Sequence, residues 1–294
     1  MPAETRVTFH VDDTPLVGTL HLPDGEGRHP AVVVDGPLTS VKEQAAGNHA
    51  RALAERGFVA LAFDHRHFGE SGGSPRQYES PPAKIVDLRA AVDFLARHEA
   101  VDPDRIAALG VCAGAGYVAG AVAEDRRVRA FATVAGFFHD AAMQRKWMGD
   151  GYEAAVAGGV AARERYEATG LAETIPAVGK EGPVAMPLAE AYEYYGTPRG
   201  GVPNYVNAFA LMSREFTLPY DAQSHAAKID VPTRIIHSEK ALAPPLARNF
   251  YDNLAGPKDL HWLASQGQID FYDDPALIAA SADLVADHFR RHLA

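Results

Sequence analysis

A five-residue turn, GVCAG at residues 110–114, constrains the fold of this chain more than any other segment. The apolar run of residues 106–109 predicts a strand that leads into the turn, and small residues lead out of it into a helical pattern. A sharp turn between a strand and a helix lifts its central side chain to the top of a parallel sheet, at the N-terminus of the helix. The segment therefore predicts an α/β fold that presents Cys112 at one end of the sheet.

Strands and helices alternate through most of the chain. Apolar runs predict eight strands, at residues 6–11, 16–22, 31–35, 58–64, 106–111, 130–135, 233–237 and 260–264. Helical periodicity predicts helices at 42–56, 83–98, 246–254 and 275–293, in addition to the helix after the turn. This alternation is typical of an α/β protein with a mostly parallel, twisted sheet of eight strands flanked by helices.

The alternation lapses between residues 137 and 226, which are rich in aromatic side chains. We predict a helical lid at 137–226, inserted into a core domain formed by 1–136 and 227–294. Glycine and proline predict joints in this lid at Gly158-Gly159, Gly182-Pro183 and 198–201. Phe138, Trp147 and Tyr195 are the candidate substrate-binding side chains. A lid with many aromatic side chains suits a small apolar or aromatic substrate.

The composition of the chain argues against several classes of binding partner. The formal net charge of −10 argues against nucleic acid and anionic membrane surfaces as partners. Cys112 is the only cysteine, so an intramolecular disulfide and a zinc–thiolate cluster are both excluded. The first ten residues are charged, and no stretch reaches the length of a transmembrane helix. We therefore expect a cytoplasmic protein with a small-molecule substrate and with no cofactor or metal.

Several segments outside the turn follow one family pattern. They are VKEQ at 41–44, FD at 63–64, GESGGSPR at 69–76, EAYEYY at 190–195, TPRG at 197–200 and DFYD at 270–273. Together with the turn, they make the chain resemble the α/β-hydrolases of the bacterial dienelactone-hydrolase-like or acyl-peptidase-like group, essentially from end to end. The resemblance implies acyl transfer or hydrolysis, with the reacting groups in loops at one end of the sheet. It also allows a homodimer.

The resemblance implies an order of catalytic groups: nucleophile, acid, histidine. This chain supplies Cys112, then Glu239, then Gln268, which stands where similar proteins carry a histidine. A glutamine amide can orient a water or a carbonyl, but it cannot take up a proton at neutral pH. A cysteine thiolate attacks acyl carbons without the strong base that serine requires, so a cysteine at the turn tolerates a weaker triad.

Backbone N–H groups and other histidines complete the set of candidates. The N–H groups of Ala113 and Leu38 are the candidate donors to an oxyanion. His139, beside Asp140 at the start of the lid, is the first candidate for a relocated base. The alternatives, also at predicted carboxyl ends of strands, are His65, His67 and His237.

Three interpretations of function stay open on the sequence. The first is an enzyme that acts on an ester, thioester or lactone through Cys112, with a non-hydrolytic variant that performs acyl transfer, cyclisation or a lyase step. The second is a non-catalytic binding protein that keeps the fold as a ligand pocket. The third is a catalytic histidine replaced by Gln268 in order to trap a ligand.

Overall fold

Ten strands occur in the computed structural model, which describes residues 2–294. The strands are β1 (Ala3–Val11), β2 (Thr14–Leu22), β3 (His29–Asp35), β4 (Val59–Phe63), β5 (Val101–Val111), β6 (Val128–Val134), β7 (Thr174–Ile175), β8 (Phe209–Ala210), β9 (Thr233–His237) and β10 (Lys258–Trp262). Eight of them form one sheet in the order β1-β2-β4-β3-β5-β6-β9-β10, and β7 pairs with β8 in a separate small sheet. The predicted eight-stranded sheet is confirmed.

The large sheet is antiparallel only at one edge. Strand β2 runs antiparallel to β1 and β4, and all other neighbouring pairs are parallel. The central strands are buried on both faces because helices cover both, which explains their continuous apolar runs. Parallel strands place their carboxyl ends at one edge of the sheet, and the loops that follow β3, β5 and β9 meet there.

Within residues 2–294, ten α-helices connect or follow the strands. They are α1 (Ala45–Ala54), α2 (Pro81–Arg97), α3 (Gly114–Glu124), α4 (Ala141–Met148), α5 (Gly151–Thr169), α6 (Ala189–Tyr195), α7 (Arg214–Thr217), α8 (Pro244–Asn253), α9 (Asp270–Asp273) and α10 (Pro275–His292). Ser80 caps the N-terminus of α2, and Asp274 caps that of α10 by accepting hydrogen bonds from backbone N–H groups. Both helices also have proline in the first turn, where no N–H partner is needed.

The segment between β6 and β9 contains four α-helices, two short 3-10 helices and the β7–β8 sheet. The sequence predicts a helical insertion here, and the structure adds the two short strands. The predicted joint at Gly158-Gly159 is wrong, because both glycines lie inside α5. Gly159 is buried where α5 packs on α7, and a Cβ at this position would lie 2.5 Å from the backbone nitrogen of Glu215. The glycine thus permits close helix packing and does not break the helix.

The length and the apolar character of each helix determine whether it could cross a membrane. Among residues 2–294, no helix is both long enough and apolar enough to cross a bilayer. The helices α3 and α10 instead bury their apolar positions against the sheet and other helices.

Candidate active site

Cys112 lies in the sharp turn between β5 and α3, as the sequence predicts. Its φ of 54° is in the left-handed region, which is strained for a residue with a side chain. The turn is held against β3: a Cβ on Gly114 would lie 2.7 Å from the carbonyl oxygen of Gly36. Only glycine allows this approach, so the GVCAG spacing fixes both the turn and its distance from the loop after β3.

Hydrogen-bond donors surround the Cys112 sulfur, which belongs to a side chain only 7% exposed. The Tyr272 hydroxyl, the Ala113 N–H and the Gln268 amide lie near enough to the sulfur to lower the pKa of its thiol as hydrogen-bond donors. Burial raises the pKa of the Cys112 thiol, and these three donors offset only part of the rise. The free enzyme therefore holds Cys112 mainly as the thiol at neutral pH.

Gln268 is buried beside the sulfur in one defined orientation. Its Oε1 accepts a hydrogen bond from the Leu242 N–H at 2.9 Å, and its Nε2 donates to the carbonyl oxygen of Ala135 at 2.8 Å. Because one contact needs an acceptor and the other a donor, the amide cannot be turned over. Its Nε2 also lies 3.3 Å from the Tyr272 hydroxyl oxygen. Gln268 thus presents a donor, and no proton acceptor, to the sulfur.

The structure does not bring Glu239 to Gln268. Glu239 is exposed on the loop after β9 and forms an ion pair with Arg248 of α8. Another carboxylate, Glu190 of α6, contacts this loop by accepting hydrogen bonds from the backbone N–H groups of Gln268 and Ile269 at 3.0 and 3.4 Å. The role of Glu239 as an orienting acid stays a prediction without a supporting contact.

His139 is enclosed by aromatic rings. Its ring stacks on Tyr117 at a centroid distance of 5.3 Å and meets Phe137 and Tyr220 edge-on. Burial lowers the pKa of His139 to about 3, so the ring is neutral. Its Nδ1 has no hydrogen-bond partner within residues 2–294. Nothing in this packing connects the imidazole to the sulfur of Cys112, and its role as a base stays a prediction.

The three alternative histidines are committed to other contacts. His65 lies between two carboxylates, with Nε2 at 3.0 Å from Asp35 and Nδ1 at 3.2 Å from Asp87. Burial disfavours its charged form, but the two carboxylates outweigh burial and raise its pKa. Burial lowers the pKa of His67 to about 4, and both ring nitrogens of His237 contact backbone carbonyls.

Two backbone N–H groups are available where the oxyanion is expected. The N–H groups of Leu38 and Ala113 donate to no carbonyl oxygen among the described residues. Leu38 follows Gly36, whose carbonyl contacts the turn at Gly114. Pro37, between them, has no N–H to offer. The Leu38 N–H is therefore free to bind a ligand oxygen, and the Ala113 N–H can bind one in exchange for its contact with the Cys112 sulfur.

The predicted aromatic contacts divide into three environments. Phe138 is fully buried and stacks on Phe250 of α8 at a centroid distance of 4.1 Å, which is a core contact. Trp147 is 51% exposed and stacks on Phe137. Tyr195 is buried in a group of tyrosines, 6.5 Å from the ring of Tyr272, and its hydroxyl has no partner among the described residues. Only Tyr195 lies in the surroundings of Cys112.

Sequence reasoning missed Tyr272 and Glu190. Tyr272 lies four residues after Gln268, one helical turn away, because α9 begins at Asp270. That four-residue spacing was the available signal, because the first turn of α9 returns Tyr272 to the side chain of Gln268. The contact of Glu190 crosses from α6 to a loop 78 residues away and has no spacing signature. Among residues 2–294, no group of His, Cys, Asp and Glu side chains is arranged to hold a metal ion.

Comparisons with known proteins place this geometry in a family. The family model described as serine aminopeptidase, S33, matches residues 40–167. The uncharacterized protein YcjY of Escherichia coli K12 is 33% identical over 310 residues, covering 98% of this chain and 99% of that protein. The hypothetical protein PA2218 of Pseudomonas aeruginosa has a crystal structure that superposes with a TM-score of 0.87 at 32% identity, covering 99% of this chain and 94% of that one.

A fungal relative has a named activity. The thiohydrolase aneE of Aspergillus aculeatus is 37% identical over 124 residues, which cover 42% of this chain and 38% of that protein. The strand order, the turn at Cys112 and these similarities agree with one another. The chain belongs to the α/β-hydrolase family and is a hydrolase-like enzyme.

Proposed function

We propose that this enzyme acts on acyl esters, thioesters or lactones of small apolar or aromatic acids through Cys112, with thioesters as the preferred class. One observation carries the proposal: the Cys112 sulfur lies at the family turn beside three hydrogen-bond donors, and no base hydrogen-bonds it within residues 2–294. A cysteine thiol with no base beside it suits a reaction in which its proton passes to the leaving group.

Thiol–thioester exchange meets that requirement. The sulfur attacks the acyl carbon, the bond from that carbon to the leaving sulfur breaks, and the proton of Cys112 ends on the released thiol. The raised pKa of the Cys112 thiol and the pKa of an ordinary thiol, near ~8.5, differ far less than the pKa of a thiol and that of an alcohol do. An alkoxide leaving group is far more basic and needs an acid to protonate it. The Tyr272 hydroxyl, within hydrogen-bonding reach of the sulfur, stabilises the charge on the sulfur during the exchange.

The carbonyl oxygen of the substrate needs donors when it becomes an oxyanion. The N–H group of Leu38 supplies one, and the N–H group of Ala113 supplies the second when it exchanges the sulfur for the oxygen. The tyrosine rings near Cys112 offer apolar faces, and the hydroxyl groups of Tyr195 and Tyr205 have no hydrogen-bond partner within residues 2–294. This environment favours an aromatic or apolar acyl chain that carries a hydrogen-bonding group.

Hydrolysis of the acyl-enzyme is the slower half of the reaction. Water adds to the thioester of Cys112, the carbon–sulfur bond breaks, and a carboxylic acid and the free thiol result. Gln268 can orient the water by donating a hydrogen bond, but it cannot take its proton. The name of the fungal relative, a thiohydrolase, supports thioester cleavage as the activity.

The test is the release of thiophenol from S-phenyl thioacetate. We expect a rapid burst of one thiophenol per chain, followed by slower turnover, because acylation outpaces hydrolysis. Cys112→Ala should abolish the burst and lower the rate by at least about 100-fold, or ~2.7 kcal/mol. Glu239→Gln is the matched control and should keep the burst, because Glu239 contacts Arg248 and not the site. Release that survives in Cys112→Ala contradicts the proposal.

A second candidate function is transfer of the acyl group to an acceptor other than water. The observation that favours it is Gln268, which stands in the position that the family resemblance assigns to a base and whose orientation is fixed by Leu242 and Ala135. A nucleophile that arrives with its own base, such as an amine, does not need that group.

Partitioning of the acyl-enzyme separates the two candidates. With a small amine present, transfer predicts an amide as the main product and hydrolysis predicts the acid. Gln268→His should shift the product toward the acid, because the imidazole accepts the proton of the attacking water. If wild type yields only acid even with the amine in excess, the transfer reaction is excluded.

A further inference from the structure

Glu79 is a fully buried carboxylate that plays no part in the site described above. It lies just before α2, and its Oε1 pairs with the Lys84 ammonium at 2.7 Å. Its Oε2 accepts a hydrogen bond from the backbone N–H of Thr39 at 3.2 Å, 40 residues away in sequence. Buried charges are costly and are retained when they are paired and have polar partners. The charge on Oε2 of Glu79 therefore stabilises one backbone N–H group, which lies on another loop.

That backbone group belongs to the loop that supplies a candidate oxyanion donor. Thr39 follows Leu38 directly, and its φ of 59° is in the left-handed region. A strained backbone persists only where its surroundings hold it. The direction of the Leu38 N–H depends on the peptide planes at 37–39, so whatever fixes Thr39 also fixes the donor.

The other hydrogen bonds that hold this loop involve residues further along the chain. The Val41 N–H donates to Gln44 at 3.0 Å, and the Lys42 N–H donates to Asp64 at 2.8 Å. Within residues 2–294, Glu79 is the one side chain from outside the loop that bonds the backbone of residues 37–39.

Glu79 is itself held in place from the segment between β6 and β9. Its backbone N–H donates to the Ser213 hydroxyl at 2.9 Å, and Ser213 is fully buried next to α7. The Lys84 ammonium that neutralises the carboxylate also lies over the rings of Phe68 and Tyr117 at about 5 Å. The carboxylate therefore has little freedom, and a rigid acceptor is what orients an N–H group.

We propose that Glu79 is a positioning residue that fixes the Leu38 N–H as an oxyanion donor. This inference rests on the proposed function, because it assumes that an acyl oxygen becomes an oxyanion next to Cys112. Glu79 acts through Thr39 and touches no reacting atom.

Two reactions of the same sulfur make the test specific. Acylation by S-phenyl thioacetate builds an oxyanion, whereas alkylation by iodoacetamide does not. Both rates are measured by mass spectrometry in the full chain. The first variant is Glu79→Leu with Lys84→Met, which removes both charges together. Its acylation should slow by about 100-fold, the loss expected when a reacting geometry shifts by about 1 Å, and its alkylation rate should stay near that of wild type.

The matched variant is Glu79→Gln with Lys84→Met, whose amide oxygen can still accept the Thr39 N–H. It should recover most of the acylation rate, because the acceptor is restored while the ion pair is still absent. Ser213→Ala keeps both charges and loosens only the backbone of Glu79. Ser213→Ala should slow acylation by a smaller factor than the leucine variant does. It also tests the proposal if the leucine variant does not fold. Arg234→Met removes the ion pair between the buried Arg234 of β9 and the partly exposed Asp259 of β10, and it controls for lost stability alone.

The outcomes separate the two proposals. A selective loss of acylation in the leucine variant, rescued by glutamine, supports the positioning role. Equal losses of acylation and alkylation, or a glutamine variant as slow as leucine, overturn it while leaving Cys112 as the nucleophile. Unchanged acylation in Ser213→Ala also counts against it. A wild-type protein that is alkylated but never acylated removes both this inference and the proposed function.

Discussion

The groups next to the Cys112 sulfur, two side chains and one backbone N–H, are hydrogen-bond donors. Tyr272, Ala113 and Gln268 stabilise a thiolate once it forms, but none takes the proton away at neutral pH. The pKa of Tyr272 is itself raised well above its ordinary value by burial, so its hydroxyl keeps its proton. This arrangement favours a substrate whose leaving group accepts the proton of Cys112, which is the basis for preferring thioesters.

The pH dependence of Cys112 alkylation tests this arrangement at the scale of one residue. Because the pKa of the thiol is raised, the thiolate fraction grows about tenfold per pH unit between pH 7 and 9, with no plateau. Iodoacetamide labelling followed by mass spectrometry measures the rate. Tyr272→Phe removes one donor and should raise the pKa further, so that labelling slows at every pH. A plateau reached below pH 8 would show an activated thiolate and contradict the description of the site.

The residues of the site were predictable where spacing encodes them. The GVCAG turn predicts Cys112 and Ala113, because only a glycine-flanked residue can make this turn against β3. The place of Gln268 follows from the family pattern. The ion pair of Glu239 with Arg248 was not predictable, because surface pairs carry no periodicity. Glu79 as the acceptor for the Thr39 N–H was not predictable either, because it lies on a separate loop.

At the scale of elements, the core strands were predictable and the segment between β6 and β9 was not. Strands buried on both faces give unbroken apolar runs, and the prediction of 233–237 matches β9 to the residue. The strands β7 and β8 have two residues each, too few for any alternation. The prediction of a joint at Gly158-Gly159 is wrong because a buried glycine that allows helices to pack has the same sequence signal as a joint.

Two adjacent alanine substitutions test the packing of α5 on α7. Gly158 is exposed with no atom within 4 Å of an added Cβ, so Gly158→Ala should stabilise the fold by about 0.5–1 kcal/mol through helix propensity. Gly159→Ala places its Cβ against the Glu215 backbone and should destabilise by about 1–3 kcal/mol. Urea denaturation of the two variants measures both. Equal effects of the two substitutions would show that α5 is not packed as described.

At the scale of the whole molecule, buried histidines make the fold sensitive to acid. Burial lowers the pKa of His139 to about 3 and that of His49, His67 and His288 to about 4. In the unfolded chain these rings titrate near ~6.5. Between these values the unfolded state binds more protons than the folded state, so stability is present above pH 6.5 and is lost as the pH falls toward 4.

We therefore expect the urea midpoint to fall steadily between pH 7 and pH 5. His139→Phe should make the fall less steep, because phenylalanine keeps the ring stacking with Tyr117 and cannot be protonated. The same variant should keep its reaction with S-phenyl thioacetate, since the structure shows no contact of His139 with the sulfur. An unchanged midpoint at pH 5 would contradict the neutral, buried state of these rings. Lost acylation in His139→Phe would instead restore His139 as a base.

The most direct test of the central claim is the mass of the protein after brief mixing with S-phenyl thioacetate and acid quenching, followed by peptide mapping. The proposed function predicts one acetyl group per chain, carried by Cys112 and absent from Cys112→Ala. Thiophenol release without an acetylated protein, or an acetyl group on another side chain, would contradict Cys112 as the group that accepts the acyl chain.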